Sequence, residues 1–324
     1  MTLLRARETQ LAIAIGLLLA IVAWRFPAFI VPKNLVNVLN DTSPLILLAL
    51  GQTVVILTRC IDLSVAANLA LTGMVVAMLN VAMPDLPIAF IVVVAIAIGA
   101  VLGAINGILV WKLTIPPIVV TLGTLTIYRG MVFVISDGQW VNAHEMSDAF
   151  TALPRAQILG LPVLAWLGIL GAVLFAALVR YLPLGRAFYA VGGNPAAAVY
   201  AGIDPGRTQF MAFVLSGAVA GLVGYLWVAR YQVAYVDIAG GFELEVVAAC
   251  VIGGISIAGG AGTILGALLG ALFLGIVKNA LPVVGISPFW QLAISGAAIV
   301  IAVIANSRAQ RRPGRQILKT EAPA

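Results

Sequence analysis

Continuous apolar runs occupy this chain near residues 11–31, 44–58, 63–82, 87–111, 115–135, 161–181, 209–229, 244–258, 261–280 and 288–305. Most approach the ~20 residues that a helix rising 1.5 Å per residue needs to cross a ~30 Å hydrocarbon slab. That pattern limits the fold more than any motif in the chain. Lipid offers nothing to a bare backbone amide, so only helices and closed barrels can span it. The runs are continuous rather than alternating, which specifies helices. Composition agrees: 9 % of the 324 residues are charged, against about 25 % in soluble domains. The expected fold is therefore all-α, a polytopic transmembrane bundle of about ten spans forming one domain over 1–324. Arg5 and Arg7 precede LAIAIGLLLAIVAW (11–24) with no small-residue cleavage pattern after it. This run is expected to be a retained first span rather than a signal.

An even span count puts both termini on one face, and charge indicates which. With the N-terminus inside, Arg5, Arg7, Arg59, Lys112, Arg180, Arg186, Arg207 and the five bases of 308–319 fall on the cytoplasmic side. Arg25, Lys33, Arg129, Arg155, Arg230 and Lys278 fall on the outer side, and so do most acids, including Asp41, Asp85, Asp137, Glu145 and Asp237. Twelve bases against six fits the positive-inside rule. The net charge of +6 is then mainly a topology signal. The run SRAQRRPGRQILK (307–319) reads as a cytoplasmic tail against anionic headgroups rather than a nucleic-acid-binding arm.

Several chemistries are excluded by what the chain lacks. Cys60 and Cys250 are far apart, and His144 is the sole histidine, without cysteine or histidine neighbours. No metal-ligand spacing results. A phosphate loop needs Gly-Lys-Ser/Thr, and no Gly-Lys pair occurs. No catalytic residue, cofactor or metal is expected, and the chain is not expected to hydrolyse ATP itself. Ionisable groups are scarce at the span centres, which argues against an ion-coupled carrier. Polar but uncharged residues do lie within or at the ends of spans, among them Asn80, Asn106, Ser216 and Asn279. Gln52, Asn68, Thr121 and Thr124 are the candidates for a solute path suited to a neutral polyhydroxylated molecule. Asp62 and Ser64 are positioned to cap the third span.

Glycines recur at four-residue spacing: Gly99, Gly103 and Gly107; Gly262, Gly266 and Gly270; Gly217 and Gly221. Such stripes let helix backbones approach closely in lipid. The pairs Gly253-Gly254 and Gly259-Gly260 mark a break between the eighth and ninth spans. Between two long runs lies an island of small residues, LPLGRAFYAVGGNPAAAVYAGIDPGRTQF (182–210). Its content suits a short exposed helix offered to a partner on the cytoplasmic face.

Four segments, LTRCIDLSVAANLALTG (57–73), IPPIVVTLGTLTIYRGM (115–131), FYAVGGNPAAAVYAGI (188–203) and AACVIGGISIAGGAGTILGALLGA (248–271), resemble in order and spacing the permease subunits of ribose-type ABC importers. The first two look most similar to permeases for rhamnose or the related autoinducer-2 furanose. The resemblance implies a bacterial inner-membrane location and a pathway formed by two permease subunits. It also implies a cytoplasmic ABC ATPase and a periplasmic sugar-binding protein as partners. Branched-chain amino-acid and nucleoside permeases share the architecture and form the alternative, with a stand-alone secondary carrier behind them. Importer permeases carry a coupling segment resembling Glu-Ala-Ala-x-x-x-Gly, which docks in a groove of the ATPase. Here Ala196, Ala197, Ala198 and Gly202 occupy that frame, with Ala196 in place of the Glu. Gly192, Gly193, Asn194 and Ile203 flank it, the glycines as entry and exit turns, and docking is expected to rest on shape. A second departure from the family pattern is Ala66, where Gly is commoner.

Overall fold

The structure is a computed structural model in which residues 7–286 are described, with positions 290, 293, 296, 297 and 300. Apart from those five positions the span expected at 288–305 lies outside the described residues, as does the tail at 307–324. Among the described residues twelve α-helices follow in chain order: α1 (Arg7–Arg25), α2 (Pro32–Leu57), α3 (Val65–Ala82), α4 (Ile88–Lys112), α5 (Pro117–Ser136), α6 (Asp148–Arg155), α7 (Val163–Tyr181), α8 (Pro183–Gly193), α9 (Pro195–Tyr200), α10 (Pro205–Tyr231), α11 (Phe242–Ile252) and α12 (Ile264–Val283). All except α6, α8, α9 and α11 are long and apolar enough to cross a membrane. The expected span at 244–258 is realised as α11, whose 11 residues reach only ~16 Å. Irregular backbone continues it at both ends. That is tolerable at membrane depth because protein surrounds it: Val246, Ala248, Ala249 and Cys250 are fully buried.

Long-range hydrogen bonds sort the connections onto two opposite faces. On one, the Asn80 amide donates to Ser147 Oγ at 2.9 Å and its oxygen accepts from Ser147 N at 2.9 Å. There Tyr225 Oη also donates to the Phe150 carbonyl at 3.0 Å, and Val141 pairs with Ala234. These contacts anchor the 137–162 segment, which carries α6 and a two-residue hairpin (Gln157–Ile158 with Leu161–Pro162), over the ends of α3 and α10. On the other face, Gly260 N donates to the Leu57 carbonyl at 3.0 Å, Gln209 to the Thr58 carbonyl at 3.2 Å, and Thr263 Oγ1 to Glu8 at 2.9 Å. The start of α1 and the 182–208 segment thus share a face, as the charge pattern requires. The break at Gly253-Gly254 and Gly259-Gly260 leads to that same face.

α10 lies at the centre, packed on α2, α3 and α4. Gly99 and Gly103 on α4 face Gly217 and Gly221 on α10 so closely that a Cβ on any of the four would fall at or within 3.0 Å of the opposing backbone. Gly107 meets Phe210 in the same seam. Lipid tails are as apolar as side chains, so contact area rather than water release holds such helices together. Glycine supplies the area by removing the obstacle, and here it also exposes carbonyls: the Asn68 amide donates to Gly99 O at 3.0 Å. Gly266 and Gly270 play the same part against Gly253 and Ala249.

Gly262 does not belong to that stripe. It precedes α12 with φ +135°, and Thr263 Oγ1 caps the helix by accepting from Gly266 N at 2.9 Å. Spacing alone could not reveal that the helix begins after it. The expected cap of α3 is also different in form. Ser64 is the N-cap residue but accepts no cap bond. Instead its N–H and hydroxyl both donate to Asp62 Oδ1, at 2.9 and 2.6 Å.

Candidate functional site

Three prolines divide the 182–208 island. Pro183, Pro195 and Pro205 each occupy the first position of a helix, where a missing N–H is harmless and φ is already helical. Asn194 and Asp204 precede two of them as N-caps, accepting from Ala197 N at 3.1 Å and Arg207 N at 3.0 Å. α9 closes with Gly202 at φ +78°, the Gly202 and Ile203 amides returning to the Val199 and Ala198 carbonyls at 2.9 Å each. That Schellman arrangement needs a left-handed residue, which glycine adopts without strain. Gly202 therefore makes the exit turn that its place in the sequence suggests.

The two other glycines do different work. Gly192 and Gly193 are the last residues of α8 rather than turn residues, and neither has a positive φ. Gly192 is buried against the Leu57 carbonyl and the backbone of Gly260, and a Cβ there would overlap both. Gly193 has nothing within 4 Å of a Cβ position. Arg59, itself left-handed at φ 66°, completes the junction: its Nε donates to Gly192 O at 2.7 Å and its Nη2 to Gly193 O at 3.0 Å. A guanidinium on the last carbonyls of a helix satisfies orphan acceptors and suits the negative end of the dipole. Tyr189 Oη donates to Gly262 O at 2.9 Å, a second tie between α8 and the 253–263 loop. Burial raises the pKa of the Tyr189 hydroxyl, which stays a donor.

α8 turns Phe188, fully buried, into an apolar cluster with Val55, Leu57, Val110, Val120 and Phe213. Four spans meet in that cluster. α9 buries Ala198 alone, at 3 % exposure, whereas Tyr200 is 94 % exposed and Val199 57 %. Ala196 and Ala197 are exposed too. The short helix thus offers a small-residue surface edged by Val199 and Tyr200. Beside it runs a groove of about 630 Å³ bordered by Arg186 and Arg207. Reading the sequence identified the alanine frame but missed Tyr200, Arg59 and Gly260; an aromatic interrupting an alanine-rich stretch was the one available signal.

The loop entering α3 holds a buried carboxyl. Asp62 is 1 % exposed, and burial pushes its pKa up to about 6 against the pull of its two bonds from Ser64. The Asn106 amide donates to Ser64 Oγ at 2.8 Å, which ties the carboxyl to α4. Burial likewise pushes the Cys60 thiol up to about 12.

The four solute-path candidates are all buried. Asn68 is engaged with Gly99 O and Thr72, at 3.0 and 3.2 Å, and Thr121 with Ile61 O at 3.2 Å. Thr124 bonds back to Val120 O within its own helix at 3.1 Å. Gln52 differs, with both amide atoms unpartnered. Among the described residues no group of three or more His, Cys, Asp or Glu side chains could hold a metal ion.

The family model described as the permease component of the branched-chain amino acid transport system matches residues 34–303. The chain belongs to this family of membrane permeases. It is 38 % identical over 307 residues to the ribose import permease of Escherichia coli K12, covering 94 % of each protein. The ribose import permease of Bacillus subtilis is 38 % identical over 292 residues, 90 % of each. The autoinducer 2 import system permease of Klebsiella pneumoniae is 36 % identical over 317 residues, 97 % of this chain and 90 % of that one. No solved structure matches the chain. The permease is an integral membrane protein and a transport subunit, not an enzyme, and ATPase and substrate-binding partners are implied for it.

Proposed function

We propose that this permease forms, with a second permease subunit, the pathway of a bacterial inner-membrane importer for a monosaccharide, and that α9 receives the ATPase. The α8–α9 unit carries this reading: its outer side is a small-residue surface, while its base is clamped to α2 and to the 253–263 loop through Gly192, Arg59 and Gly260. A push on α9 cannot be absorbed locally. It passes along α8, whose Phe188 is wedged among four spans. Closure of the ATPase dimer on ATP would displace α9, and the ends of α2, α10 and α12 would follow. No residue of this chain needs to make or break a bond.

On this reading the face bearing α9 is cytoplasmic, and the 137–162 segment meets the periplasmic sugar-binding protein. Relatives named for ribose and autoinducer 2 point to a small polyhydroxylated solute, with rhamnose the further possibility suggested by the sequence. The family description favours a second reading, a branched-chain amino-acid permease. The test is uptake by proteoliposomes holding the permease, its ATPase and its binding protein, with labelled ribose, rhamnose and leucine in parallel. ATP-dependent uptake of a sugar is expected. Leucine uptake alone would refute the sugar reading, and uptake without the ATPase would refute the coupling role of α9.

A further inference from the structure

Opposite the α9 face, a cavity of about 220 Å³ opens between α2, α10, α11 and α12. None of Gln52, Asn68, Thr121 and Thr124 lines it. We infer that this cavity is a solute site for a neutral polyhydroxylated molecule of monosaccharide size, the first station of the permease after delivery. The inference rests on the sugar-importer reading and assigns that solute a place.

One wall is aromatic. Trp227 and Tyr231 of α10 stand with ring centroids 5.3 Å apart, and Phe242 of α11 meets Trp227 edge-on at 5.0 Å and 71°. The other wall is polar, with Asp41 and Thr42 from α2 and Lys278 and Asn279 from α12. Its charges are already matched: Arg230 pairs with Asp41, and Lys278 Nζ is 2.8 Å from Glu245. The wall thus offers an anionic headgroup or a zwitterionic amino acid no unmatched charge, whereas a neutral solute needs none.

Hydrogen-bonding capacity remains on the same wall. The Thr42 hydroxyl donates to Val38 O at 2.6 Å and keeps its lone pairs. The Asn279 amide nitrogen donates once, to Gly275 O at 2.9 Å, leaving its oxygen and a second N–H. Lys278 retains further donors beyond its bond to Glu245. Rings for the C–H face of a sugar and convergent donors and acceptors for its hydroxyls form the usual division of a small-molecule site. The volume lies below the ~300–1,000 Å³ of drug-sized ligand sites, which selects a small solute.

The experiment uses the complete importer in proteoliposomes, with whichever of labelled ribose or rhamnose the wild type transports. At subsaturating sugar, Trp227→Ala should lower uptake about tenfold and Asn279→Ala several-fold. Trp227→Phe, which keeps an aromatic face, should retain most of it, and the ATPase should co-purify equally with all three variants. Hydrogen exchange of the 227–245 segment should slow on adding the sugar to the wild type and not to Asn279→Ala. Wild-type uptake in both alanine variants overturns the site and leaves the permease reading standing. Failure of the wild-type complex to move either sugar overturns that reading, and the site with it. Loss of a co-purified phospholipid from the variants with uptake unchanged marks a headgroup pocket and also overturns the inference. Should Trp227→Ala not assemble, Asn279→Ala and the exchange measurement decide.

Discussion

Gly192→Ala is the sharpest test of how α8 transmits force, because Gly193→Ala beside it supplies an internal control. Real Cβ atoms essentially never come within 3.0 Å of another heavy atom, and at Gly192 a Cβ would fall more than an ångström inside that limit against the Leu57 carbonyl oxygen. Gly260 blocks retreat on the other side, so the end of α8 must lift away from α2. Overpacking of this kind costs roughly 1–3 kcal/mol. Lifting α8 also stretches the two Arg59 bonds. A hydrogen bond to a charged group contributes ~1.5–3 kcal/mol, of which only a part counts here because Arg59 is solvent-exposed. The sum is about 2–4 kcal/mol, enough to move the docked junction by one to three powers of ten. At Gly193 the added methyl meets nothing, φ is not left-handed, and Ala is the better helix former by up to ~1 kcal/mol. Thermal melting of each purified variant in detergent, ATPase co-purification and ATP-driven uptake would be measured together. Gly192→Ala should melt lower and take up sugar poorly while still holding the ATPase, since the outer side of α9 is untouched. Gly193→Ala should match the wild type in all three. Equal damage from the two substitutions, or none from Gly192→Ala, would refute the clamp.

Four further outcomes follow from the same geometry. Ala197→Trp and Gly193→Trp, both on the exposed side of the segment, should leave the melting temperature of the isolated permease unchanged yet abolish ATPase co-purification; retained binding would remove α9 from the docking surface. Gly217→Leu, driven into the backbone of Gly99 and Gly103, should cost upwards of ~3 kcal/mol and deplete folded protein, whereas Gly123→Leu, with nothing within 4 Å, should be silent in the same expression and melting assays. For Asp62, the native pKa of about 6 lies above the ordinary 3.8. The folded state therefore binds more protons between these values and stability falls as pH rises through them, by up to about 3 kcal/mol. Asp62→Asn keeps an acceptor for Ser64 and removes the buried charge, so it should raise the melting temperature at pH 7.5 and lose the advantage below pH 4. Cys60, buried with its thiol pushed up to about 12, should resist maleimide at pH 8 in the folded protein and react on unfolding.

The helices were legible in the sequence because lipid leaves a backbone few choices, whereas the division of the island into helices beginning at Pro183, Pro195 and Pro205 emerged with the structure. The alanine frame at 196–198 lies on a short helix that exposes Ala196 and Ala197 and buries Ala198. Polar residues were harder to place. Asn80 secures the 137–162 segment and Asn68 donates to a carbonyl bared by Gly99, partners that the pattern of their own span does not indicate. The pair Asp62 and Ser64 shows a milder version: the right two residues, with the bond running the other way.

What the sequence determined by itself was local or collective: which stretches must be helical in lipid, the charge asymmetry of the loops, and where an exposed small-residue helix sits. Tertiary structure alone decided which of two adjacent glycines lies against another backbone, and that Gly262 stands outside its apparent stripe. It also decided that Trp227, Asp41 and Asn279 surround one cavity. Each of those depends on segments far apart in the chain, such as Arg59 and Gly192, separated by 133 residues. Periodicity reports the face a residue occupies on its own helix and carries no record of which backbone comes to lie against it.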